Sequence, residues 1–183
     1  MEPQPEEEVS SRRIWAAVIV ATVLAVIAYG FLLLAIFAPR LDVPEGETTV
    51  TAEPAWALGL ILVPFVYISL AFISKRERAP IATLKAMGLW VMVALPLGLF
   101  NPITGLAAGF GTGGIVALRR RESSRLSYRV WAVAITTVYV TGLLFFAPPG
   151  GVFAGAVLPI PAVAIADNLA ARWATASKPD DET

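Results

Sequence analysis

The chain has 183 residues, 57% of them apolar and only 15% charged, with a mean hydropathy of +0.71. Soluble domains hold roughly a quarter charged residues, so an ordinary water-soluble fold is excluded. The 14 basic and 14 acidic residues cancel, leaving no global field to attract nucleic acid, and the lack of cysteine and histidine removes disulfides, thiolate nucleophiles, the usual zinc sites, haem ligation and imidazole bases.

Residues 1–13 begin "MEPQPEEEVSS", acidic and proline-containing, which predicts a disordered cytoplasmic tail. The first apolar run, residues 14–37, follows Arg12 and Arg13. It is longer than the roughly 7–15 residues of a signal-peptide core, and its small-residue exit, Ala38, is followed directly by Pro39. An uncleaved anchor is therefore expected rather than a secretory or twin-arginine signal. Ala17, Ala21 and Ala25 recur every four residues and form one small-residue stripe for close helix packing. The outer loop that follows carries Asp42, Glu45, Glu47 and Glu53, whose scatter fits a solvated loop and no calcium-loop spacing.

The second run, 55–73, contains Pro64, and the third, 81–100, contains Pro96, both candidate kinks. Lys85, one turn inside the third run, is placed to snorkel to the interface. Asn101 and Pro102 then combine a favoured N-cap with a favoured first helical residue, so a helix restarts after a chain reversal. The fourth run, 102–118, holds Gly105, Gly109 and Gly113 on one helical face, the small-xxx-small spacing of close helix approach. It also contains a G-x-G-x-x-G at Gly109, Gly111 and Gly114. With no preceding strand and no acidic residue about 20 positions later, this is not a dinucleotide-binding turn.

After the basic loop "LRRRESSRLSYR", which serves as a topology signal, the fifth run, 130–147, carries Thr137, Tyr139 and Thr141. Their hydroxyls suit helix-to-helix hydrogen bonds or a polar cavity lining. The sixth run, 152–171, has candidate kinks at Pro159 and Pro161 and a polar pair, Asp167 and Asn168, near its end. An intramembrane carboxylate is a candidate proton or cation site, although here Arg172 is within reach as an ion-pair partner. Residues 174–183 form a short polar cytoplasmic tail.

Charge decides the threading. Read as one helix, residues 81–118 would be about 57 Å long, nearly twice the hydrocarbon thickness of about 30 Å. Read as a re-entrant loop, residues 102–118 would strand Arg119, Arg120, Arg121, Arg125 and Arg129 on the face opposite Arg12 and Arg13. Two spans joined at Asn101 put every basic residue except Arg40 at the cytoplasmic side. Trp15, Trp131 and Trp173 fall at cytoplasmic ends and Trp56 at an outer end, where indoles favour headgroups, while Trp90 lies deeper. The expected fold is thus an all-α polytopic transmembrane bundle over residues 14–173, of six spans, in the cell membrane with both termini cytoplasmic.

No catalytic group, cofactor site or metal site emerges from these residues, so the expected function is non-catalytic. The leading reading is a packing or accessory subunit of a membrane complex, whose partners are the lipid bilayer and other membrane subunits or further copies of itself. The alternative is a small-solute transporter component with a site between proline-kinked helices. In its span count and its Ala17, Ala21 and Ala25 stripe, the chain resembles the substrate-binding subunits of energy-coupling-factor vitamin importers. That resemblance implies a first helix that docks on a partner through the stripe.

Overall fold

The computed structural model describes residues 10–38, 52–76, 78–118 and 148–166, and all regular secondary structure among them is helical. The helices are α1 (Ser11–Phe37), α2 (Ala52–Ile73), α3 (Ala79–Phe100), α4 (Pro102–Ala117), α5 (Pro148–Val157) and α6 (residues 159–166). Three stretches are long and apolar enough to cross a membrane: Ser11–Phe37, Glu53–Ile73 and Ala79–Phe100. At about 1.5 Å per residue the 16 residues of α4 reach roughly 24 Å, short of the ~30 Å hydrocarbon core.

The first four helices form two antiparallel hairpins. Leu32, near the end of α1, lies against Gly59, near the start of α2, and these two helices pack along their lengths. The α2 helix ends in a Schellman-type turn, with the Arg76 N–H on the Ala71 carbonyl at 2.8 Å and the Lys75 N–H on the Phe72 carbonyl at 3.1 Å. Lys75 and Arg78 take left-handed backbone conformations, each with φ 51°, in a turn that glycine would enter at less cost. This turn sends α3 back alongside α2.

At the far end of α3, the Asn101 side chain accepts the N–H of Ile103 at 3.0 Å and of Thr104 at 3.3 Å, and Pro102 occupies the first turn of α4. Two of the orphan donors of the new helix are satisfied in this way, and proline removes a third. The chain reverses, and α4 runs back along α3 in the most extensive helix pairing among the described residues, ahead of α1 with α2.

Prolines act differently at different places. The α2 and α3 helices continue through Pro64 and Pro96. The sixth apolar run, by contrast, is not one helix: it starts earlier than its apolar boundary, at Pro148, and breaks at Leu158. Pro159 and Pro161 both lack an N–H, so the ladder loses two donors within three residues and resumes with the Ala162 N–H on the Leu158 carbonyl at 2.9 Å.

The core gathers around α4. Every residue from Gly105 to Gly114 is buried, in contact with α1, α2, α3 and α5. The outer faces carry exposed Ile19, Ile61, Phe72, Leu84, Met92, Leu95 and Phe153, the arrangement of a bundle whose surroundings are as apolar as its interior. The Asn101→Ala variant is expected to lose about 0.5–2 kcal/mol through the missing cap. Asn101→Ser should keep most of it, with both read as unfolding free energies in detergent.

Candidate functional site

The chemistry of the described residues converges on the glycine face of α4. A side chain at Gly105 would fall on the backbone of Gly98 in α3, so only a hydrogen fits between the two helices there. One turn on, a Cβ at Gly109 would stand 2.9 Å from both the Ala94 Cβ and the Trp90 Cδ1. At Gly113 the neighbour changes helix, and a Cβ would collide with the phenol ring of Tyr67 in α2. The stripe therefore packs against two helices of its own chain. The missing side chains of α4 are replaced by large ones from its neighbours, Trp90 and Tyr67.

The buried hydroxyls among the described residues are tied to backbone. The Tyr67 hydroxyl donates to the Gly109 carbonyl at 3.3 Å, the Thr112 hydroxyl donates to the same carbonyl at 3.0 Å, and the Tyr29 hydroxyl donates to the Ile103 carbonyl at 3.3 Å. Interhelical hydrogen bonds in membranes average roughly 0.6 kcal/mol, and these tyrosine contacts lie at the long end of the range. Displacing a packed helix to admit a methyl group costs about 1–3 kcal/mol, more than the loss of one such hydrogen bond. Tyr29 also reaches α5, where a Cβ at Gly155 would sit 2.8 Å from its oxygen.

Trp90 completes the surroundings of α4. It is 8% exposed, with its ring 5.9 Å from that of Phe110 at an interplanar angle of 56°. Its Nε1 is buried without a hydrogen-bond acceptor. An indole N–H in such a position is a donor that packing has deprived of a partner.

The other residues singled out from the sequence divide into two groups. Ala17, Ala21 and Ala25 are 0%, 0% and 2% exposed, turned into the bundle of this chain. Pro64 and Pro96 lie within continuous helices, and Pro159 and Pro161 follow the break at Leu158. Thr137, Tyr139, Thr141, Asp167 and Asn168 lie outside the described residues. Gly109, Gly111 and Gly114 all fall inside α4, with a helix rather than a strand before them. Tyr29, Tyr67 and Thr112 were not singled out, and Trp90 was noted only for its depth. The available signal was that depth: an indole far from either headgroup level needs a gap to fill, and the glycine stripe provides one.

No protein-family model, no curated protein and no solved structure matches this chain. The site is therefore read from its own geometry. The Gly105→Ala variant is expected to destabilise the protein by about 1–3 kcal/mol or more, because the atoms in the way are backbone. Gly88→Ala, on an open face of α3 with nothing within 4 Å, should be neutral or stabilising by up to about 1 kcal/mol. Thermal unfolding of the two variants in the same detergent makes the comparison.

Proposed function

We propose that this chain is a non-catalytic, multi-pass protein of the cell membrane, with six spans and both termini in the cytoplasm, that serves as a packing or accessory subunit of a membrane complex. The observation that carries the reading is the filled interior: the glycine face of α4 is occupied by Trp90, Ala94 and Tyr67 and by the backbone of Gly98. A solute-binding cavity needs room between helices, and these contacts leave none along that face.

The orientation rests on charge. Because α1 and α2 are antiparallel and tight turns join α2, α3 and α4, the start of α1, the end of α2 and the start of α3 share one end of the bundle. That end carries Arg12, Arg13, Lys75, Arg76, Arg78 and Lys85, which are all the basic side chains among the described residues. By the positive-inside rule it faces the cytoplasm.

One observation favours the alternative, a small-solute transporter component. The Trp90 Nε1 is a buried donor with no acceptor, and a bound solute carrying a carbonyl or hydroxyl oxygen would supply one. Native mass measurement after gentle extraction separates the two readings. A stoichiometric complex with another membrane protein, or with further copies of this chain, is the expected result. A monomer carrying a small solute that the Trp90→Phe variant loses would overturn it.

The threading has its own measurement. Reporters fused after Arg78, Ser124 and Asp180 should read cytoplasmic, and those after Glu45, Asn101 and Gly150 should read external. An external signal at Ser124 would remove the six-span topology.

A further inference from the structure

The lipid-facing side of α3 is apolar except near its start. Ile81, Leu84, Val91, Met92, Leu95 and Leu99 are exposed along it, and Lys85 is exposed on the same side. Lys85 lies six positions into a 22-residue helix, roughly 9 Å along the axis from Ala79. Arg78, the exposed N-cap residue of α3, precedes Lys85 by seven residues, about two helical turns, so its Cα lies on the same side of the helix. Side chains on a helix lean toward its N-terminus, which carries the Lys85 ammonium back toward Arg78.

A second observation sets the depth. The α4 helix starts where α3 ends and runs antiparallel to it, but with 16 residues against 22 it stops roughly 9 Å short of the start of α3. The last turn of α4 therefore reaches about the level of Lys85. A lysine in the lipid-facing surface and a helix terminus whose last carbonyls have no intrahelical N–H both need polar surroundings at that depth. The headgroup layer meets both needs there, by local thinning or by snorkelling of the flanking residues.

The electrostatics select the headgroup. Among the described residues the one carboxylate is Glu53, at the start of α2 and so at the opposite end of the bundle; Glu77, which precedes Arg78 in the chain, lies outside them, and the four cations Lys75, Arg76, Arg78 and Lys85 outnumber it. Zwitterionic headgroups offer a phosphate screened by their own cation, whereas anionic headgroups offer it uncompensated.

We propose that Lys85 and Arg78, on the lipid-facing side of α3, form a site for the phosphate of an anionic phospholipid headgroup. The site rests on the membrane placement proposed above. A soluble phosphate is a poorer occupant, because Lys85 stands in the apolar strip between Leu84 and Gly88 where acyl chains lie and the phosphate must arrive attached to them.

The test uses the full chain reconstituted in phosphatidylcholine vesicles with and without phosphatidylglycerol. Flotation reads insertion, and native mass spectrometry of the extracted protein reads retained lipid. The wild type is expected to retain phosphatidylglycerol over phosphatidylcholine. Lys85→Gln and Arg78→Gln should each reduce that preference roughly fivefold, and Lys85→Arg should restore it. All variants should float as the wild type does. Equal retention of the two lipids by the wild type, an unchanged preference in both glutamine variants, or displacement of the lipid by inorganic phosphate would each overturn the proposal. Failure of the wild type to float with either vesicle would instead sink the membrane placement beneath it.

Discussion

The backbone of α3 at Gly98 and the backbone of α4 at Gly105 lie so close that no side chain fits between them. The rest of the bundle is arranged around this approach. In lipid, apolar side chains gain nothing by leaving the hydrocarbon for one another, so helices associate through the area they can bring into van der Waals contact. Removing side chains from one face of α4 brings the helix axes together and multiplies those contacts. Because residues 105–114 of α4 are buried throughout, the helix gives α1, α2, α3 and α5 a common surface. The Asn101 cap fixes the turn that starts this approach, and Trp90 and Tyr67 fill the space that the glycines vacate further along.

Interior polar groups follow the same logic. Each of the Tyr29, Tyr67 and Thr112 hydroxyls finds a carbonyl of α4, because lipid supplies no other acceptor. Thr22 and Thr83 bond one turn back within their own helices, at 2.6 Å and 2.9 Å. The interior polarity of these helices is thus used in holding backbone to side chain. Trp90 differs because its position is set by the shape of Gly109 and the ring of Phe110, and its N–H goes wherever the ring is forced to lie.

Much of the helix layout was legible in the sequence, for physical reasons. Apolar runs ending in arginines mark helices by length, and the structure has α1, α2 and α3 starting two or three residues before the first apolar residue of each run and ending with it. The turn at Asn101 was legible because Asn and Pro have fixed roles at a helix start. The break at Leu158 was harder to place. Proline is tolerated in Pro64 and Pro96 without a break, and what separates the sixth run is two prolines one residue apart. Which face of each helix turns inward was the least legible feature. Core and lipid are equally apolar, so hydrophobic periodicity carries no sign, and only the small residues distinguish one side from the other. Tyr29 and Tyr67 are not legible as core residues, because a tyrosine in a span reads equally as an interfacial or a buried residue until its neighbours are known.

Small residues mark close approach without naming the partner, and the two stripes of this chain show why that matters. The Ala17, Ala21 and Ala25 stripe, whose spacing alone would equally serve another subunit, lies within the core of this chain. A helix has one small-residue face to offer, and burying it against its own bundle removes it from any outside contact. The surface that α1 and α3 leave outward is built instead from bulky apolar side chains such as Ile19, Ile27, Leu84 and Met92. Such side chains keep a neighbouring backbone at a distance, so a partner helix meeting this surface packs through interdigitated side chains and not through close backbone approach. The closest packing of the bundle is accordingly inside, along α4, while its outer surface offers bulky apolar side chains to whatever apolar neighbour, lipid or helix, lies against it.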